Sequence, residues 1–285
     1  MSCEAIRSHE LSRRVMPLVT AAFALVALAA APLPALAQPG AQTGDDWCRG
    51  ENRGDRRPTF CEVRDFTVPA SASLSVDAEP NGGIDVQGTT RGDVVVHAKV
   101  TAQAETMERA QQIARSVNVH ATASNVSADG PSGLERREQW SVSYRLSVPT
   151  VSSLSLKTTN GGIAIRDVDG DVDFRTVNGG VKLANMAGDV KGRTSNGGVD
   201  VDLDGPSWRG AGLNVETSNG GVHLRIPSQY SAQLETGTVN GGFNIDFPLT
   251  VQGRIDREVN ATLGTGGAPI RVRTHNGGVK VSRKQ

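Results

Sequence analysis

Aromatic residues make up only 4% of this 285-residue chain, it holds three cysteines, and its 30 basic side chains are matched by 30 acidic ones. Each scarcity excludes something. So few aromatics leave only a thin platform for stacking on sugars. A formal net charge of zero argues against nucleic acid or anionic lipid as the main partner, because both need a concentrated basic surface. After residue 37 no apolar run is long enough to span a bilayer. There is no Gly-x-Ser-x-Gly elbow and no phosphate-binding glycine loop with its lysine. His97, His120, His223 and His275 show no metal-ligand spacing. The expectation is a chain without cofactor, metal centre or catalytic machinery.

The first 37 residues read as an export signal. Arg7, Arg13 and Arg14 precede an apolar stretch from Val15 to about Ala31, and Ala35-Leu36-Ala37 is a small-x-small cleavage site before Gln38. An uncleaved anchor over Met16 to Ala37 is the alternative, and Pro17, Pro32 and Pro34 count against it. Ser12-Arg13-Arg14 matches a twin-arginine signal only in part, so the general secretory route is preferred. The processed chain keeps 27 basic and 28 acidic residues and is expected in the periplasm or outside the cell, with no membrane segment. It also keeps Cys48 and Cys61, which in an exported chain are expected to form a disulfide.

What the chain has in abundance is glycine, 33 residues, much of it in one repeated phrase. Thr-x-Asn-Gly-Gly occurs at Asn160-Gly161-Gly162, Asn178-Gly179-Gly180, Asn196-Gly197-Gly198, Asn219-Gly220-Gly221, Asn240-Gly241-Gly242 and Asn276-Gly277-Gly278. A further Asn-Gly-Gly at Asn81 carries Glu79 in place of threonine, and Thr265-Gly266-Gly267 looks like a worn copy. Repetition on this scale implies stacked coils. Alternate apolar residues flank each corner, as in Val172, Phe174, Val181 and Leu183, which is the period of a half-buried strand. Stacks of antiparallel hairpins are also compatible with Asn-Gly, but in-register copies 18 residues apart favour parallel coils. The corners are expected to use positive φ at glycine. Asparagine ladders and a threonine column are expected along the axis. The interval of 36 residues between Asn240 and Asn276 is expected to hold two rungs, the worn copy lying between.

Between Asn81 and Asn160 the phrase disappears. Val94 to Val100 alternates as a strand, and Glu105 to Val117 carries Met107, Ala110, Ile113, Ala114 and Val117 on one helical side. Val117 to Ala123 and Trp140 to Val148 read as further strands. The chain is therefore expected to be all-β, a parallel, right-handed β-solenoid with a small N-terminal α+β cap. Its expected parts are the signal 1–37, a disulfide-bearing segment 38–66, the cap with the first strand pair 67–150, and the repeat array 151–285.

The order of Leu74 to Val86, Gly92-Asp93-Val94, the helix near Met107, Ser147-Val148-Pro149 and then the repeats with Gly170-Asp171-Val172 and Gly188-Asp189-Val190 resembles the bacterial putative-adhesin domain family, domain of unknown function 4097. The resemblance covers most of residues 67 to 285. It implies a parallel β-solenoid in an envelope or extracellular protein, without established enzymatic activity. Trp47 to Cys61 and Gly205 to Gly212 depart from the family pattern.

The functional expectation is an exported, non-enzymatic, adhesin-like module whose partner is an envelope protein or glycan. The residues weighed as contacts are Trp208, in a glycine-rich insert where core packing competes, and Arg56 and Arg57, in the cluster with Arg49 and Arg53. Two alternatives stand beside it. A polysaccharide-cleaving β-helix would use the one tight acidic pair, Asp200 and Asp202, which face the same way on one strand. A periplasmic spacer would have no ligand at all. Arg53-Gly54-Asp55 and Arg91-Gly92-Asp93 spell an adhesion tripeptide, but common turn residues meet often by chance.

Overall fold

Each coil consists of a strand, an Asn-Gly-Gly corner and a second strand returning beneath it. The computed structural model describes residues 47–49, 57–246 and 257–284, all within one compact unit, Gln42–Gln285. The export signal of residues 1–37 and the contact residue Arg56 lie outside the described residues.

Two ten-stranded sheets face one another. The front sheet begins with β1 (Thr59–Pro69), β4 (Asp93–Gln103), β7 (Gln139–Pro149) and β3 (Ile84–Thr89). It continues through β9 (Ile163–Arg166), β11 (Val181–Ala184), β13 (Val199–Asp202), β15 (Val222–Ile226), β20 (Val279–Arg283) and β17 (Phe243–Asp246). The back sheet runs from β5 (Asn118–Ala121), β6 (Asn125–Asp129), β2 (Ser73–Asp77) and β8 (Ser153–Lys157) into β10 (Asp169–Asn178), β12 (Ala187–Asn196) and β14 (Gly212–Asn219). It ends with β19 (Pro269–Asn276), β16 (Ala232–Asn240) and β18 (Glu258–Leu263). The repeat strands pair parallel and in register, Val181 with Val199 and Thr176 with Thr194. The inner faces carry the alternating apolar residues. Ile163, Val181, Val199, Val222 and Val279 are all 0–2% exposed, as the alternation requires.

The helix α1 (Met107–Arg115) is shorter than its apolar stripe, because Thr106 caps its start by accepting from the Arg109 amide at 3.2 Å. Ala110, Ile113 and Ala114 are buried. At the other end Arg64 on β1 donates to the carbonyls of Ala114 (2.8 Å) and Val117 (2.5 Å), placing its positive charge where the helix dipole is negative. Charged Glu62 and Arg64 interrupt the apolar alternation of β1, so periodicity alone does not reveal that strand. It runs continuously through positions 66 and 67.

Three expectations are corrected. The rungs do not stack in chain order. The last rung, β19 and β20, inserts between the Asn219 and Asn240 rungs, so Thr274 pairs with Thr217 on one side and Thr238 on the other. Ile270 and Val272 are fully covered from both sides, whereas Phe243 and Ile245 on the outer strand β17 are only half-buried. Thr265-Gly266-Gly267 forms no coil: it is part of the turn from β18, which pairs antiparallel with β16, into β19.

The reason for glycine at the corners also differs. Among the corner glycines only Gly277 has a positive φ (158°), at the edge of extended backbone; positive φ occurs instead at the opposite turn of the coil, at Asp167 (57°) and Asn185 (49°), where the Asn185 amide donates to Asp167 at 2.5 Å. At the Asn-Gly-Gly corners the first glycine is required by close approach: a Cβ on Gly179 would stand 2.0 Å from the Gly161 carbonyl oxygen. The second glycine is freer, since a Cβ on Gly180 would stand 3.4 Å from the Gly198 oxygen.

Candidate functional site

The corners build two continuous columns and leave a furrow beside them. Asparagine side chains link every rung: Asn160 donates to Asn81, Asn178 to Asn160, Asn196 to Asn178, Asn219 to Asn196, Asn276 to Asn219 and Asn240 to Asn276, at 2.7–2.9 Å. Behind them the threonine hydroxyls are buried, each donating to a first-glycine carbonyl of the adjacent rung, as Thr194 does to Gly179 at 2.8 Å. The second glycines, Gly83, Gly162, Gly180, Gly198, Gly221, Gly278 and Gly242, then follow one another across the outer front sheet. Having no side chains, they floor a shallow furrow roughly 29 Å long, from six strand spacings of about 4.8 Å.

One wall is the asparagine ladder. The other is the outward row Asp85, Ala164, Lys182, Asp200, His223, Lys280 and Asn244, set by strand register. Lys182 and Lys280 have no ion-pair partner among the described residues, while Asp85 is held by Arg166 at 2.8 Å.

The N-terminal end of the furrow is closed by Trp47. The Cys48–Cys61 disulfide, with Cα atoms 5.7 Å apart, fastens this residue to the outer face of β1. Its ring lies 4.1 Å from the Arg145 guanidinium and 5.3 Å from the Lys99 ammonium, a cation–π arrangement beside Gly83, Gly162 and Gly180. Sequence reasoning did not single out Trp47. A tryptophan next to a disulfide cysteine was the available signal.

The residues weighed from sequence fall elsewhere. Trp208 is 7% exposed, and its Nε1 donates to the Gly188 carbonyl at 3.0 Å, so the insert packs it into the coil and withholds it from solvent. Arg57 donates to the Arg137 carbonyl at 2.8 Å. Arg91 binds Asp93 with two bonds of 2.8 Å, so that tripeptide closes its own turn.

Asp200 and Asp202 do share the outer face of β13. Arg225 binds Asp202 with both Nε and Nη2 and holds its carboxyl below the usual carboxylate range. A glycosidase acid requires the opposite shift. His223 Nε2 is 3.0 Å from Ser282 Oγ, and His223 Nδ1 is 3.5 Å from Asp200. That triad geometry is spoiled by Arg225 Nη1, 3.2 Å from the same Nδ1. A guanidinium only donates, whereas Asp200 only accepts, so the two make opposite demands on Nδ1 and the aspartate does not orient the ring as a triad requires. Ser282 also lies between two paired strands whose amides are committed to the ladder.

No group of three or more potential ligands suited to a metal ion occurs among the described residues. Among them, no helix is long and apolar enough to cross a membrane.

No curated protein matches the chain. Solved structures similar to it include a putative cell adhesion protein from Clostridium sporogenes, 9% identical, covering 79% of this chain and 100% of that one, with a TM-score of 0.42. A putative adhesin from Bacteroides fragilis is 10% identical over 79% and 97% of the two chains, with a TM-score of 0.35. A putative lipid binding protein from Parabacteroides distasonis is 10% identical over 79% and 97%, with a TM-score of 0.28. The Toastrack DUF4097 family model matches residues 67–282, from the end of β1 into β20, and the chain belongs to that family.

Proposed function

We propose that the chain is an exported, non-enzymatic interaction module of the cell envelope, adhesin-like in action, whose front furrow receives an extended glycan. The observation that carries this reading is the seven-glycine furrow, walled by the asparagine ladder and ended by Trp47. A sugar chain laid along the axis meets bare backbone below, side-chain amides on one flank and, on the other, two lysines without an ion-pair partner among the described residues. Trp47, backed by Arg145, offers a ring for stacking on a sugar face. Because every rung is tied to the next, little order is lost on binding. Ligation of Asp202 by Arg225 supports the non-enzymatic side of the reading.

In the same reading the coil is right-handed. Residues 67–150 act as an α+β cap over the first coil, residues 38–66 carry the disulfide, and residues 151–285 are the repeat array. Cleavage after Ala37 by the secretory route delivers the chain to the periplasm or beyond. N-terminal sequencing of the exported protein should begin at Gln38.

The decisive experiment is a glycan array probed with the mature chain and with Trp47→Ala. Binding by the parent, weakened tenfold or more in the variant, supports the reading. An array on which the parent finds no ligand, or on which both bind alike, sinks it.

A further inference from the structure

The back sheet carries a second hollow, of about 780 Å³, whose chemistry is different. Register sets one row across its outer face: Arg175, Arg193, Glu216, Arg273, Gly237 and Glu258. Arg257 stands beside the end of the row, its carbonyl accepting from the Thr238 amide at 2.9 Å. Four guanidinium groups thus share one hollow with two carboxylates.

Arg175 and Arg193 are neighbours on parallel strands roughly 4.8 Å apart, a like-charged pairing that a sheet ordinarily avoids. Neither they nor Arg257 form an ion pair among the described residues. Arg273 reaches Glu235 only at 3.7 Å, because Arg271 already holds that carboxylate at 2.6 and 3.0 Å. The Arg273 Nε is buried and has no hydrogen-bond partner. Gly237 carries no side chain between Arg273 and Glu258, and Glu258 Cγ leans over it, 3.3 Å from where a Cβ would stand. A concentration of unanswered donors around a recess is the form of a site whose acceptors come from outside.

We infer that this back-sheet hollow binds an anionic polysaccharide through carboxylate, sulfate or phosphate groups on successive sugars. Guanidinium forks match planar or tetrahedral oxyanions with paired hydrogen bonds. The row crosses five strand spacings, roughly 24 Å, which suits an extended chain carrying several charges. The site is recessed, and Val239, 44% exposed, is the large apolar side chain at its rim, so the surface does not project acyl-seeking residues into a bilayer. The inference is independent of the front furrow, which lies on the other sheet.

The test is calorimetric titration of the mature chain with an oligogalacturonate hexasaccharide, its sulfated derivative, a neutral hexasaccharide and vesicles containing phosphatidylglycerol. An anionic hexasaccharide should bind and the neutral one should not, with affinity falling as salt is raised. Arg193→Gln with Arg273→Gln should weaken binding at least tenfold while the thermal midpoint stays close to that of the parent. Glu216→Gln should tighten it severalfold, an outcome that misfolding does not produce. Failure of the parent to bind either anionic sugar, or undiminished binding by the folded double variant, overturns the inference. Binding to vesicles alone assigns the hollow to lipid head groups and also overturns it. Loss of binding in Trp47→Ala but not in the arginine variant would place the sugar in the front furrow, leaving the proposed function standing and this site refuted.

Discussion

Asn160 donates from Nδ2 to Asn81 Oδ1 at 2.8 Å, although 78 residues that include α1 and six strands lie between them. The first coil therefore begins before the insertion and resumes after it without loss of register, as the parallel pairing of β3 with β9 also shows. The side-chain ladder tolerates a large excursion because it depends on spatial neighbours, and any excursion that returns the chain to the next rung preserves it.

The two corner glycines should respond unequally to alanine. Gly179→Ala forces a Cβ to 2.0 Å from a backbone oxygen that is itself fixed in the stack, so it should cost about 3 kcal/mol or prevent folding. Gly180→Ala meets ordinary contact at 3.4 Å and should stay within about 1 kcal/mol of the parent. Urea denaturation of both variants reads the difference, and equal midpoints would contradict the close-approach account.

Thr194→Val keeps the shape of a buried β-branched side chain but removes the hydroxyl that donates to the Gly179 carbonyl. A loss of about 1–2 kcal/mol is expected, the usual consequence of leaving a buried acceptor short of a partner. Ser195→Ala, at the half-exposed position beside it, is the control and should be nearly silent.

Removing residues 265–285 should damage more than an end. Because β19 and β20 lie between the Asn219 and Asn240 rungs, their deletion separates β16 and β17 from the rest of the array. Hydrogen exchange should show protection lost throughout 232–246 as well as on the newly exposed β14 and β15. Protection retained at 232–246 would mean that this rung can dock directly on the Asn219 rung.

Acid should unfold the chain through specific carboxylates. Arg225 lowers the pKa of Asp202, and Arg271 lowers that of Glu235. As pH falls, the unfolded chain takes up these protons first, near about pH 4. The ion-pair stabilisation is thus complete above that value and is lost as pH drops through the lower folded-state values. Asp202→Asn with Glu235→Gln should lower stability modestly at pH 7, as part-exposed ion pairs do, and show a flatter stability profile as pH falls below about 4. A profile as steep as that of the parent would locate the acid sensitivity elsewhere.

Reducing the Cys48–Cys61 bridge should release Trp47. In the chain-entropy model the loss is about 3 kcal/mol for a loop of this length. Tryptophan emission should shift to the red as the Trp47 ring leaves Arg145, with Trp208 still enclosed. No spectral change on reduction would show that the ring is held without the bridge.

Much of this architecture was legible because it is local. Alternation at Ile163, Ile165, Val181 and Leu183 names the inner face, and the recurrence of Thr-x-Asn-Gly-Gly names the corner. β1 was hidden because Glu62 and Arg64 occupy its inner alternation, where the end of α1 supplies partners that no local pattern announces. Trp47 was hidden for a similar reason: its place depends on the far side of a disulfide. Trp208 looked available among glycines, and only the Gly188 carbonyl of the preceding coil shows why it is inside.

The sequence by itself determined the coil: its length, its two faces, its corners and the columns that run along it, because these follow from the two-residue period of strands and the steric demands of repeated short motifs. The tertiary structure decided which rung lies beside which, where the disulfide sets Trp47 and which arginines gather on the back sheet. Those outcomes depend on long-range pairing among rungs that carry the same motif, and equivalent motifs give the chain no local instruction for choosing between neighbours.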